Sequence, residues 1–278
     1  VSVALAPELN LDVGRLVLNV NRKTLRDLHT RVDSAITDGS LNRTMDGAST
    51  LTLTLHDPNR VLLKSGAFSY RADLTLDGYG FRLVQVRKSG DELELTFEDL
   101  PVALLREKTG ARHANRAHVT RAEFALSLVR ELHPSPPFIC PQLHQLQPVA
   151  GKQDSRALKK ALPYQYRRGG QNGLLESSWE CLQRLAQEVN WRCFVNQGAV
   201  YFISEPDLLD RGSVTVVRES DPSVLGFDFD VDQGKAQNEA TLTAIAARWS
   251  HDPGSVVTVD ELGPADGDWL VHQIGRPL

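Results

Sequence analysis

Long apolar runs are missing from this sequence. No stretch reaches the roughly 18–20 consecutive apolar residues that cross a bilayer as a helix, so a helical membrane protein is not expected. Cysteine is scarce: three residues with no paired spacing argue against a disulfide scaffold and suit a reducing compartment. A dominant charge is missing too. Lysine and arginine number 31 against 35 acidic groups, a formal net charge of −4, so no global field draws the chain to nucleic acid or to an anionic membrane. The N-terminus lacks a basic segment followed by an apolar core, so no signal peptide is expected. Methionine occurs once, at Met45, so residue 1 is not expected to be the translation start.

Catalytic signatures are equally scarce. There is no Gly-x-Ser-x-Gly, no P-loop, no His-Glu-x-x-His and no dinucleotide fingerprint. Acidic residues are plentiful enough that a glycosidase pair could be assembled from scattered positions, but nothing local favours one pair. The expectation is a non-enzyme without a cofactor.

What is present is the balance of a folded chain: 278 residues, 41% apolar and 24% charged. The first hundred residues carry the period of strands. Leu16, Leu18 and Val20 alternate, and Thr50 to Leu55 is strict Thr/Leu alternation, which predicts a half-buried strand. Phe81 to Phe97 predicts a hairpin about Ser89-Gly90-Asp91, with Phe81, Leu83 and Val86 on one arm and Leu93, Leu95 and Phe97 on the other. Many short strands at this spacing suggest a barrel or a sandwich.

The middle of the chain changes character. Thr120-Arg-Ala-Glu123 has capping-box spacing and opens a helix carrying Phe124, Leu128 and Leu132; the prolines from Pro134 to Pro137 are expected to stop it. Residues 138–173 are rich in Pro, Gln and Gly and read as irregular. A second capping box, Ser177-Ser-Trp-Glu180, opens a helix with Trp179, Leu182, Leu185, Ala186 and Val189 on one stripe and Asn190 as a left-handed stop. A hairpin follows, Trp191–Val195 and Ala199–Ile203.

From Ser213 the strand pattern returns, over Val214–Val217, Val224–Val231, Ala240–Ala247, Val256–Val259 and Trp269–Ile274. With so few residues after the last of these, the native chain is expected to run on. A weak echo links Ala48-Ser-Thr-Leu-Thr-Leu to Glu239-Ala-Thr-Leu-Thr-Ala and raises the prospect of a duplicated β domain. The organisation read from the sequence is a β domain over 1–105, an α/β insert over 106–212 and a second β domain over 213–278, expected to be incomplete at its C-terminus.

Two constellations invite a chemical reading. Asp228, Asp230, Asp232 and Glu239 fall at positions one, three, five and twelve of a calcium loop. Glycine falls at position seven instead of six, Lys235 takes an apolar position, and the flanks read as strands. The competing reading is a strand with Phe227, Phe229 and Val231 inward and the aspartates in water. Arg156, Lys159, Lys160, Arg167 and Arg168, interleaved with Tyr164 and Tyr166, could grip phosphates, bind a protein, or simply form a solvated face; no specific nucleic-acid partner is expected. Cys140 and His144 lack a second zinc-spaced pair, Cys181 and Cys193 read as packing residues, and His113 and His118 have no partner motif.

Two of these stretches resemble a known family. Ile36-Thr-Asp-Gly-Ser-Leu through Asp46-Gly-Ala-Ser-Thr-Leu-Thr-Leu-Thr-Leu-His-Asp57 resembles the first β domain of phage tail hub and minor tail proteins. Arg168-Gly-Gly through Glu176-Ser-Ser-Trp-Glu-Cys-Leu-Gln-Arg-Leu-Ala-Gln-Glu-Val-Asn-Trp-Arg-Cys-Phe194 is similar to the helix-and-hairpin unit of the same proteins in phages of actinobacteria. The two segments cover about a sixth of the chain, and they are packing and capping patterns, not chemical fingerprints.

The resemblance implies a mainly β fold with an α/β insert: two tail-tube-like β-barrel domains flanking a small helix-plus-hairpin domain. It implies a structural virion protein of the tail tip or baseplate, assembled in the host cytoplasm. There a homotrimeric hub would adapt a hexameric tail tube to a threefold tip. The partners implied are the distal tail or tube protein, the tape measure protein and tip or fibre proteins, with no membrane binding of its own. The irregular 138–173 region is then a candidate docking arm. A tail-associated cell-wall or polysaccharide-degrading enzyme is the alternative, and a calcium- or carbohydrate-binding module a third reading.

Overall fold

In the computed structural model the described residues are 34–65, 68, 72–76, 79–108, 116–118, 120–144, 162–164, 176–218, 220–230, 239–244 and 252–277. The predicted strand over Leu16–Val20 lies outside them.

The first layer is an antiparallel sheet. Its N-terminal strands are β1 (Ile36–Thr44), β2 (Thr50–His56), β3 (Asp73–Leu76), β4 (Tyr79–Ser89) and β5 (Glu92–Asp99). The Thr/Leu alternation of β2 does what its period requires: Leu51, Leu53 and Leu55 are buried while Thr50, Thr52 and Thr54 face a partly wet side. Leu93 and Leu95 meet them from β5, and each leucine so buried contributes about 2 kcal/mol of transfer free energy. Gly90 (φ +55°) and Asp91 make the two-residue hairpin turn that the sequence announced.

The three-residue step from Leu83 to Val86 is explained by a β-bulge. Leu83 pairs with Phe97 and Gln85 with Thr96, so Val84 is the extra residue and Val86 returns opposite Leu95. Val84 and Val86 both remain exposed. A short helix, α1 (Val61–Lys64), follows β2 and plugs the sheet with Leu62.

The second layer is helical. Helix α2 (Leu100–Glu107) starts directly at the end of β5, with Pro101 in its first turn. Helix α3 (Arg121–Val129) has the predicted capping box: Glu123 N donates to Thr120 Oγ1 at 3.0 Å and Thr120 N to Glu123 Oε2 at 3.1 Å. It ends at Val129, before the prolines; Arg130 closes it by donating to Leu126 O. Helix α4 (Ser178–Gln187) repeats the box with Ser177 and Glu180, and Asn190 takes the left-handed conformation (φ +57°) expected of a stop.

These helices pack on the sheet formed by β7 (Phe138–Ile139), β10 (Ala199–Ser204) and β9 (Trp191–Asn196), in that order. Phe124, Leu128, Trp179, Leu182, Leu185 and Phe202 lie together in their common core. Most of the 138–173 region expected to be irregular lies outside the described residues; within it, β8 (Leu162–Tyr164) pairs with β6 (Arg116–His118). Helix α5 (Glu205–Leu209) caps the end of β10.

The C-terminal part forms two smaller sheets. Strand β11 (Ser213–Arg218) runs parallel to β14 (Val256–Asp260), which pairs with β15 (Gly267–Leu270). Strands β12 (Val224–Asp230) and β13 (Glu239–Ala244) form a two-stranded ribbon. The single strand expected over Trp269–Ile274 is broken at Val271–His272, and its second half, β16 (Gln273–Pro277), leaves to pair with β1. The first sheet therefore has six strands in the order β16-β1-β2-β5-β4-β3.

Mainly β holds as the class, with few helices. Closed barrels do not. Among the described residues the six-stranded sheet is open, with β16 and β3 as its edges, and the C-terminal strands form separate two- and three-stranded sheets. The two echoing segments lie on strands with different described pairings: β2 lies between β1 and β5, and among the described residues β13 pairs with β12. No helix among the described residues is long and apolar enough to cross a membrane.

Candidate functional site: a three-way junction

The most organised polar cluster lies where the first sheet, the α/β layer and the C-terminal part meet. Its apolar floor is Met45, Phe194, Ile203 and Leu208, with Tyr201 and Leu270 packed against them. Gly254 (φ +85°) lets the Asp252-Pro-Gly turn press onto the Phe194 ring. Phe194 stacks in turn on Tyr201 at 4.8 Å between centroids.

Charged side chains ring this floor. Arg43 of β1 pairs with Asp252, and Gln197 of the β9–β10 turn donates to the same carboxylate. Arg192 of β9 holds Asp46 at 2.7 Å and Glu205 at 2.6 Å. Asp46 also stands 3.4 Å from His272 Nδ1, while Met45 N donates to His272 O at 2.9 Å. Each of the three parts thus supplies both a charge and an apolar contact. A partly buried ion pair of this kind adds little net stability, because desolvation offsets its attraction.

A second network stiffens the helical layer. Arg184 donates to Glu176 at 3.1 and 2.5 Å and to Glu188 at 2.9 Å, and Arg121 reaches Glu188 from α3 at 3.2 Å. Burial acts against the charge of the Arg184 guanidinium, but the Glu176 hydrogen bond and its neighbours outweigh this and raise its pKa.

The sequence-derived candidates fall as follows. Asp228 is exposed on β12 opposite Thr241, and Asp230 stands opposite Glu239 across the ribbon. Asp232 lies outside the described residues, as do Arg156, Lys159, Lys160, Tyr166, Arg167, Arg168 and His113. Antiparallel strands flank the acidic loop where a calcium hand would have helices, and no group of three metal-ligating side chains occurs among the described residues. Phe227 packs against the C-terminal core, but Phe229 is exposed, so the inward face expected of β12 is only partly covered.

His144 is exposed beside Glu123 at 3.1 Å. Burial pushes the thiols of Cys140 and Cys181 up to about 11 and about 12, and that of Cys193 higher still. None of the three has the thiolate character of a nucleophile. The junction itself was not foreseen, because its members are scattered from Arg43 to His272 and carry no local motif.

No family model matches the chain, and no curated protein matches it. Solved structures do. The tail protein from Neisseria meningitidis MC58 is similar over 88% of this chain and 88% of its own, with a TM-score of 0.51 at 9% identity. The 43 kDa tail protein of prophage MuSo2 from Shewanella oneidensis is similar over 87% of this chain and 88% of its own, with a TM-score of 0.54 at 12% identity. The chain therefore has a fold shared with phage tail proteins.

Proposed function

We propose that this chain is a structural subunit of a phage tail, acting at the tail tip as a trimeric hub between a hexameric tube and a threefold tip. The observation that carries the reading is the fold likeness to two tail proteins along nearly nine-tenths of both chains. The 36–57 and 168–194 segments, which resemble tail hub and minor tail proteins, support it independently.

In this reading the work is geometric. Among the described residues the first sheet ends in strands β16 and β3, edges that a neighbouring copy would extend by strand pairing. The junction about Arg43, Asp252 and Phe194 would hold the three parts in one orientation while load passes through them. Partners would be further copies, the tube or distal tail protein, the tape measure protein and tip or fibre proteins. The protein would be assembled in the host cytoplasm and reside at the virion tail tip.

Light scattering on the purified chain, paired with negative-stain images, tests this. A trimer or threefold ring burying more than about 1,000 Å² per contact is expected. A protein that stays monomeric at high concentration, and with the tube protein added, would remove the hub role.

A further inference from the structure

The seam between the first sheet and the helical layer contains a carboxyl group with no dedicated counter-charge. Asp99 is the last residue of β5 and the residue from which α2 springs. It is 7% exposed. Its Oδ2 accepts from Ser49 N at 3.0 Å, and its own N–H donates to Ser49 O at 3.2 Å, so it ties the start of β2 to the start of α2.

Among the described residues, the arginines about this seam are each engaged by another acid. From β1, Arg43 pairs with Asp252. From β4, Arg82 donates to Asp73 at 2.7 and 2.9 Å and to Glu107 of α2 at 3.1 Å. From α2, Arg106 donates to Glu98 at 2.5 Å. Glu98, next to Asp99 in β5, is itself buried, and its Oε2 has no hydrogen-bond partner.

We propose that Asp99 is a proton-operated latch between the sheet and the helical layer, closed when its carboxyl is protonated and loosened when it ionises. A neutral carboxyl sits in the seam without a desolvated charge and keeps an acceptor for Ser49 N. The ionised form places a second buried negative charge beside Glu98, and the field of Arg43, already claimed by Asp252, compensates it only in part. Burial is the largest influence on the Asp99 carboxyl and pushes its pKa up to about 7; Ser49 and Arg43 oppose this and Glu98 adds to it. The carboxyl of the closed seam therefore ionises only near neutral pH, where an ordinary aspartate is already fully ionised, and the latch loosens between about pH 4 and about pH 7.

The sign follows from linkage. The folded pKa lies above that of an exposed aspartate, so the closed seam is most stable below about pH 4, loses stability as pH rises towards 7, and is level above that. Opening of the seam should increase about tenfold between pH 6 and pH 8.

The test is hydrogen exchange on the intact protein, corrected for the intrinsic pH dependence of exchange. The amides of Ser49, Leu100 and 102–107 are expected to lose about tenfold protection from pH 6 to pH 8 in the wild type. Asp99→Asn, which is neutral at both pH values, should show no such change. The Asp99 carboxyl carbon resonance, assigned by its loss in that variant, should titrate near neutrality. Arg43→Gln should move that midpoint upward. A carboxyl that titrates near pH 4, or a wild type and an Asp99→Asn variant with the same pH dependence of protection, would overturn the latch. If Asp99→Asn does not fold, the carbon titration of the wild type decides alone.

Discussion

Gly254 lies so close to Phe194 that a Cβ on the glycine would stand 2.8 Å from the ring's Cζ. The backbone there is also left-handed, at φ +85°. Both conditions select glycine, one through local sterics and the other through a contact between distant segments. Gly254→Ala is expected to destabilise the protein by about 2–4 kcal/mol, combining the left-handed penalty with overpacking. Urea unfolding of the two proteins measures it, and an unchanged midpoint would show that the Phe194 contact yields freely.

Asp252 receives both Arg43 and Gln197 and is only 9% exposed. Asp252→Ala leaves the Arg43 guanidinium, whose side chain is 18% exposed, without its carboxylate. A loss of about 3 kcal/mol is expected. The double variant with Arg43→Met should recover much of it, because the stranded charge then goes too. Thermal unfolding of the single and double variants gives the coupling.

Asp57 shows the opposite electrostatics to Asp99. Burial raises its pKa, but the backbone N–H groups of Leu63, Leu62 and Val61 in α1 outweigh burial, and Lys88 adds to them, so the pKa is lowered. Two of those bonds measure 3.2 Å and 3.0 Å. A lowered pKa means stability present above the ordinary aspartate value and lost as pH falls through the folded one. Asp57→Asn should cost about 1 kcal/mol at pH 7, with the deficit shrinking below pH 4. Denaturant titrations from pH 7 to pH 3 would show this, and a deficit independent of pH would contradict it.

The two capping boxes predict different costs. Ser177→Ala removes one cap of α4 and should cost about 1 kcal/mol. Thr120 does more: its hydroxyl accepts from Glu123 N and also donates to Leu143 O at 2.8 Å. Thr120→Val keeps the shape and loses both bonds, so a cost of about 2 kcal/mol is expected. Equal losses in the two variants would mean that the Leu143 tie contributes nothing.

What could be read from the sequence follows the range of the interactions. The Thr/Leu strand, the Gly90 turn, both capping boxes and the Asn190 stop were legible because each depends on residues within a few positions. The bulge at Val84 was not read, because the Leu83–Val86 spacing alone does not say which residue is the extra one. Helix α2 escaped notice because its start coincides with a strand end and Pro101 reads as a breaker. The departure of β16 to pair with β1 was hidden for a different reason: strand pairing leaves no mark on either strand. The junction shares that property, since nothing in Arg43 announces Asp252.

The pairing of β16 with β1 makes the first sheet depend on both ends of the described chain. Gln273 Nε2 donates to Asn42 Oδ1 at 2.9 Å, across 231 positions of sequence. On a ribosome adding about 5–20 residues per second, β1 waits for its partner for roughly ten seconds or more. During that interval the backbone donors and acceptors that β1 gives to β16 lack that partner. Synthesis therefore leaves this side of β1 without the β16 partner until Gln273–Pro277 has been made.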